Sequence, residues 1–228
     1  MTEKDWKIVC GCVLFRDISP DEVKRLSACL GCCKEVCEKG ISLLRQGEPT
    51  DRAGLLLSGR VLAESVDERG ERSVHAVLSA GQVFGDALVS AGSMESPVTV
   101  SVLQPGSVLW IPGERIMDGC EKHCTAHVQL RRNLQREIAE KYWALNRRIS
   151  YLTAGSLRTK LTEYLRDLRR GSADGKQGTV EVTVPYSREQ LAAYLGVNRS
   201  AMCRELSAMR REGLVDFWKN RFVLSERL

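Results

Sequence analysis

The sequence has no apolar run approaching the ~18–20 residues that a membrane-spanning helix needs. Its first residues, MTEKDWKIVCGC, lack the apolar core of a secretory signal. A helical membrane protein is thereby excluded, and a cytoplasmic chain is expected. Histidine is scarce, with three residues at 75, 123 and 127. No phosphate-cradling glycine loop, nucleophile elbow or prominent carboxylate pair accompanies them, so an enzyme is not expected. Cysteine is plentiful, but nine is an odd number, the chain of 228 residues is not short, and no secretion signal precedes it. A disulfide framework is not expected under those conditions.

Excess charge is also small, at +5, yet its placement is informative. Residues 154–228 hold 14 Lys and Arg against 9 Asp and Glu, whereas residues 1–153 hold 20 of each. All the excess lies in the C-terminal third, which is the electrostatic footprint of a phosphate-binding face.

Along the chain three textures follow one another. Residues 1–33 read as mostly helical, with Ser19-Pro20-Asp21-Glu22 a helix start: a capping serine, proline at the first position, then acids. From Val36 to about Ile116, short apolar runs are punctuated by glycine, as in AGLLLSGRVLAESV and SPVTVSVLQPGSVLWI. That spacing predicts a compact β-barrel or sandwich. From Thr125 the period becomes helical. Leu134, Ile138, Tyr142, Leu145, Ile149 and Leu152 recur at steps of four and three, a narrow seam flanked by charge, and predict a helix that pairs with its own copy. Beyond Ala154-Gly155, a hinge, come an amphipathic helix over Ser156–Arg169, a loop from Gly171 to Gly175 and a strand at Thr179–Val184.

The stretch SREQLAAYLGVNRSAMCREL, Ser187 to Leu206, then predicts two short helices around a turn at Gly196-Val197-Asn198. Asn198 is a good cap for the second helix. Met202 and Leu206 turn inward, while Arg199, Ser200, Cys203 and Arg204 project outward, as a helix-turn-helix offers side chains to the major groove. A final hairpin from Leu214 to Leu224 makes the unit a winged helix, with Lys219 and Arg221 at its tip placed to meet phosphates.

In this order KGISLLRQGEPTDRAGLLLSGRV, GQVFGD, SREQLAAYLGVNRSAMCREL and EGLVDF resemble the Crp/Fnr superfamily of bacterial transcription regulators, over nearly the whole chain. The resemblance implies an α+β chain: an N-terminal β-roll of the cyclic-nucleotide-binding jelly-roll kind over 1–124, a dimerisation helix over 125–153, and a C-terminal winged helix-turn-helix over 154–228. It implies a homodimer on palindromic double-stranded DNA, with RNA polymerase a further partner for an activator and no membrane partner. Arg199 and Arg204 match positions that contact guanine and backbone in the family. Ser200 stands where many members have glutamate, so a different operator is expected. Ser187 and Arg188 match phosphate-holding positions at the start of the first helix.

Where cAMP-binding members have Gly-Glu-Leu for the ribose, this chain has Gly85-Asp86-Ala87-Leu88. Where they have Arg-Ser for the cyclic phosphate, it has Glu95-Ser96. A carboxylate within ~4 Å of a phosphate repels it strongly in a poorly solvated pocket. cAMP is therefore not expected as the effector. Asp86 remains a candidate for a hydroxyl-bearing ligand, bordered by Tyr142 or Trp143.

The cysteines offer a rival signal, a redox, metal or iron–sulfur sensor with DNA binding secondary or lost. Some members hold an iron–sulfur cluster on an N-terminal cysteine set. Here Cys10-Gly-Cys12 lacks the full set, and Cys29-x-x-Cys32-Cys33-x-x-x-Cys37 is denser. Cys120, Cys124 and His127 would share one helix face as three ligands for zinc or iron, with His123 close by. The more ordinary expectation is that such residues are small buried groups and bind nothing.

Overall fold

The computed structural model describes residues 1–92, 94–120, 124–172 and 178–228. His123 and most of the predicted loop from Gly171 to Gly175 lie outside the described residues. The chain divides into two compact units, Met1–Glu71 with His75–Tyr142, and Trp143–Leu228 with Arg72–Val74. The division falls inside the predicted dimerisation helix.

In the first unit, helix α1 (Glu3–Gly11) begins with a reciprocal cap. The Asp5 amide donates to the Thr2 hydroxyl at 3.2 Å, and the Thr2 amide donates to the Asp5 carboxylate at 2.7 Å. A 3-10 turn at Val13–Phe15 leads to α2 (Pro20–Cys29), which starts with the predicted Ser19-Pro20-Asp21-Glu22 signal.

Six strands follow: β1 (Cys33–Cys37), β2 (Ser42–Leu44), β3 (Arg52–Val66), β4 (Arg72–Ser79), β5 (Val83–Phe84) and β6 (Thr99–Pro112). Their order is β1-β6-β3-β4, with β2 on β6 and β5 on β3. The first strand starts at Cys33, before the apolar texture begins. It is an exposed edge, so it needs no alternating apolar pattern; the Trp110 indole N–H donates to its Glu35 carboxylate at 2.6 Å.

β3 and β6 pair antiparallel from Arg52↔Pro112 to Glu64↔Thr99, and their register shifts three times between Leu56 and Val61. Such irregularities bend and twist a strand pair, which curls these long strands into a roll. The bend requires Gly59 and Gly106. Gly59 has φ +87°, and a Cβ at Gly106 would lie 2.0 Å from the Ser58 carbonyl oxygen.

Both faces of the sheet are buried, which explains the uninterrupted Leu55-Leu56-Leu57. Leu55, Leu57, Leu109 and Ile111 join Phe15, Val23, Leu26 and Leu30 in one core. Leu56, Val61, Val108 and Trp110 point the other way, into a second core with Phe84 and Val102. Two short helices, α3 (Asp86–Ser90) and α4 (Gly113–Asp118), sit in the region expected to be all strand and turn. At five and six residues each is too short to show a helical period in the sequence.

The long helix α5 (Thr125–Thr153) has the predicted bounds. In the second unit come α6 (Leu157–Arg170), β7 (Val180–Thr183), α7 (Arg188–Leu195), α8 (Arg199–Arg211), β8 (Val215–Trp218) and β9 (Arg221–Leu224). The wing is a three-stranded sheet, β7-β9-β8. Among the described residues no helix is long and apolar enough to cross a membrane.

Asp5 yields a pH prediction. Its carboxylate accepts from Lys34 at 2.7 Å as well as from the Thr2 cap, and these bonds lower its pKa from 3.8 to about 2. A depressed carboxylate contributes stability that is present above its unfolded pKa and lost as pH falls through the folded one. Asp5→Asn should therefore lower the melting temperature near neutral pH, and the gap from wild type should close between pH 4 and pH 2. Melting curves over that range check it.

Candidate nucleic-acid interface

The helix-turn-helix is built by its caps. Ser187 opens α7 with a capping box: the Gln190 amide donates to its hydroxyl at 3.2 Å and its own amide donates to the Gln190 side chain at 2.9 Å. Leu191, Ala192 and Leu195 are buried on one face. Gly196 ends the helix at φ +61°, and a Cβ there would meet Leu152 at 3.0 Å, so both backbone and space call for glycine. The Asn198 side chain then accepts from the Ala201 amide at 3.1 Å and starts α8. Met202, Leu206 and Met209 are buried. Their 4-3 spacing places Arg199, Ser200 and Arg204 on the exposed face.

The charge on this face is managed by neighbours. Arg158 of α6 donates through Nε to Glu205 at 2.5 Å and through both terminal nitrogens to Glu212 at 2.7 Å. This fork holds the Glu212 carboxyl below the usual carboxylate range. Arg210 pairs with Asp216 at 2.7 Å. Glu205, next to Arg204 in the chain, and Glu212 and Asp216 further along are thus occupied, while Arg199 and Arg204 have no ion-pair partner among the described residues.

The other predicted contacts are placed less simply. Arg188 does not extend from the start of α7. Its guanidinium is half-buried over the Phe217 and Phe222 rings, at 4.8 and 4.6 Å, because the wing aromatics offer a cation–π seat. Ser187 spends its hydroxyl lone pair and its amide on the capping box. Lys219 sits exposed at the wing tip with φ +54°. Arg221 is exposed but lies 3.6 Å from Glu181 on its own sheet. Sequence reasoning missed Trp218, which is 75% exposed and directly opposite Arg221 across the hairpin. An aromatic at the last strand position before a turn was its only signal.

A cluster of tyrosines, also missed, ties the C-terminal part of α5 to α6 and α7. Arg148 is buried over the Tyr194 ring at 4.6 Å and donates to the Tyr194 carbonyl at 3.2 Å. Tyr186 stacks on Tyr194 at 4.6 Å, and Tyr164 meets Tyr151 edge-on at 5.9 Å. The Tyr151 hydroxyl donates to Asp167, whereas the buried Tyr164 hydroxyl has no partner among the described residues. Burial pushes the phenols of Tyr151 and Tyr164 far above the ordinary tyrosine value.

The predicted effector residues are each engaged locally or exposed. Gly85 is left-handed, at φ +72°, and starts α3. Asp86 is 2% exposed and accepts from Lys141 of α5 at 2.6 Å; Lys141 also donates to the Val83 carbonyl at 2.8 Å. A lysine thus occupies Oδ1 of the carboxylate expected to hold a ligand hydroxyl, while its Oδ2 is buried with no partner among the described residues. Ser96 is buried, and its hydroxyl donates to the Val98 carbonyl at 2.6 Å, which closes a local turn rather than facing a ligand. Glu95 is exposed beside Pro49, and Tyr142 and Trp143 are exposed on α5.

The predicted dimer seam is split by its own chain. Leu134 is 2% exposed in the first core, and Ile138 packs against that core, because the sheet face must be covered. Leu134 is corrected from interface to interior, while Ile138 is half-buried. Tyr142, Leu145, Ile149 and Leu152 remain exposed, although Leu152 also lies against Gly196.

The cysteines also divide. Cys12 and Cys37 lie in the two separate cores, on opposite faces of the sheet, so those two do not meet, while Cys10 and Cys32 pack against the core that holds Cys12. Burial raises the Cys12 and Cys32 thiols to about 11, which leaves them protonated and inert. Cys120, Cys124 and His127 do come together. The Cys120 and Cys124 sulfurs are 3.5 Å apart, and the Cys124 sulfur is 3.0 Å from Nδ1 of His127. Burial and then Arg131 lower the pKa of His127.

Comparison with known proteins gives the following. The cyclic nucleotide-binding domain family matches residues 34–123, and the Crp-like helix-turn-helix domain family matches residues 159–227. The probable transcriptional regulator flp of Lacticaseibacillus casei is 36% identical over 88 residues, which cover 39% of this chain and only 38% of that protein. The transcriptional activator FnrA of Stutzerimonas stutzeri is 26% identical, over 78% of this chain and 71% of its own length. Among solved structures, FixK2 of Bradyrhizobium japonicum is 20% identical with a TM-score of 0.68, covering 86% of this chain and 93% of that one. A CooA variant of Carboxydothermus hydrogenoformans is 16% identical with a TM-score of 0.70, covering 88% and 86%.

The tyrosine cluster generates a stability test. An orphaned buried hydroxyl costs desolvation free energy without return. Tyr164→Phe should leave stability unchanged or raise it by up to about 1 kcal/mol, while Tyr151→Phe, which strips a partner from Asp167, should lower it by about 1 kcal/mol. Urea denaturation of the two variants distinguishes them.

Proposed function

We propose, for a chain that belongs to the Crp/Fnr superfamily of transcription regulators, that two copies pair and set their recognition helices into successive major grooves of an inverted-repeat operator. The C-terminal helix-turn-helix is of the family's DNA-binding type. In this reading residues 1–124 sense, 125–153 pair the two copies, and 154–228 bind DNA.

The observation that carries it is the recognition face of α8. Arg199 and Arg204 stand exposed there with no ion-pair partner among the described residues, while Arg158 and Arg210 hold the carboxylates of Glu205, Glu212 and Asp216. An arginine in that position reads guanine through O6 and N7 or grips a phosphate. Asn198 and Ser200 flank the first of them; Lys219, Trp218 and Arg221 supply the wing. Ser187 and Arg188 contribute less directly, the first through the helix N-terminus it caps and the second by bracing the wing aromatics.

Pairing through Tyr142, Leu145 and Ile149 is supported by their exposure on one long helix, an apolar stripe that water does not favour. The signal is not cAMP in this reading. Asp86 is engaged by Lys141, Ser96 is engaged by Val98, and Glu95 would oppose a phosphate. Work on an operator puts the protein in the cytoplasm, and where it activates, RNA polymerase is the further partner.

Sequence selection on random duplexes should enrich a palindrome whose half-sites lie about 34 Å apart. Absence of any enriched palindrome under reducing and oxidising conditions would sink the reading. On the selected operator, Arg199→Ala and Arg204→Ala should each cost about 1–3 kcal/mol, and whichever arginine reads a base should relax preference there. Lys219→Ala should weaken binding evenly across sequences and reduce the salt slope by about 1. Separately, calorimetry of the purified protein with cAMP should show no binding; micromolar affinity would overturn the effector assignment.

A further inference from the structure

We propose that Cys29, Cys120, Cys124 and His127 form a tetrahedral site for one soft divalent cation of the zinc type. The four residues come from three places in the fold. Cys29 is the last residue of α2, Cys120 follows α4, Cys124 immediately precedes α5, and His127 lies in its first turn. The ligating atoms of Cys29, Cys120 and His127 all lie within 4.8 Å of one another. Cys124 lies beside this group, 3.5 Å from the Cys120 sulfur and 3.0 Å from Nδ1 of His127, and would have to turn toward Cys29 to become the fourth ligand. Zinc–sulfur and zinc–nitrogen bonds of roughly 2.3 and 2.0 Å put neighbouring tetrahedral ligands of this set about 3.5–3.8 Å apart. The observed spacings bracket that range, so small side-chain rotations suffice.

The chemistry of the surroundings fits as well. Three thiolates around a divalent cation leave one net negative charge. Cys124 supplies the carbonyl that accepts the His127 amide at 3.1 Å, so the site sits at the positive N-terminal end of a 29-residue helix. Arg25 lines the cavity beside the thiols, and Arg115 and Arg131 act on Cys29 and His127. Glu22 also lines that cavity, but its carboxylate is turned back to accept from the Ser19 hydroxyl at 2.6 Å. The cavity, about 400 Å³ and open on one side, gives the cation a way in. A simple dithiol switch explains less, because a disulfide has no use for the buried imidazole.

Binding is coordination without electron transfer. Each of the three thiols releases its proton to water as its sulfur takes up the metal, and the neutral imidazole donates a ring-nitrogen lone pair. Bound metal would join the end of α2 to the base of α5.

The test is cobalt titration of the full-length, reduced, chelator-treated protein, followed by zinc competition. Expected are one cobalt per chain, intense thiolate-to-cobalt charge transfer in the near ultraviolet, the strong visible bands of tetrahedral cobalt, and displacement by zinc. Cys29→Ser, at an exposed position, and Cys120→Ser should each weaken binding roughly 100-fold or more. Cys33→Ser, exposed on β1, should leave it unchanged. The wild-type charge-transfer intensity reports the number of thiolates independently of how any variant folds. An octahedral spectrum, affinity unaltered in both ligand variants, or an iron–sulfur chromophore in place of a mononuclear metal would overturn the proposal.

Discussion

The antiparallel pairing of β3 with β6 is the constraint on which the first unit depends. Two strands of 15 and 14 residues are too long to remain flat, and the register shifts around Gly59 and Gly106 let them curl. Curling creates an inside and an outside, and both are apolar. The inside is filled by Phe84, Trp110 and the valines of β6; the outside must be covered by something else. α1, α2 and the first half of α5 do the covering, with Leu130 and Leu134 of α5 fully committed to it. The same pairing delivers Gly113 and α4 to the place where Cys120 meets the end of α2.

A single helical stripe therefore serves two masters along α5. Its N-terminal part is taken by the sheet, while Tyr142, Leu145 and Ile149 further along are exposed. On another face of the same helix end, Arg148, Tyr151 and the tyrosines of α6 and α7 bind it to the helix-turn-helix by stacking and cation–π contact. A change in the attitude of the end of α5 would thus reach α7 through packed rings rather than through a loose linker.

Much of this was legible in the residues. Ser19-Pro20-Asp21-Glu22, Ser187 and Asn198 are local caps whose partners lie three residues away, so sequence alone locates them. The long helix was legible from its period, and the winged helix from its turns. Least legible were features made by distant residues: the Arg158 fork to Glu205 and Glu212, 47 and 54 residues away, and the seat of Arg188 on the wing rings. The stripe on α5 was readable as apolar, but periodicity cannot say which half meets its own sheet.

The sequence by itself determined the order of elements, the caps, the basic C-terminal third and the outward-facing Arg199 and Arg204, because each depends on spacing within a helix turn or a strand. Only the tertiary structure decided which charges are left unpaired and which ligands meet. Lys141 reaches Asp86 across 55 residues, and Cys29 reaches Cys120 and His127 across more than ninety. Such contacts are set by how the sheet curls and what covers it, and no local pattern encodes that.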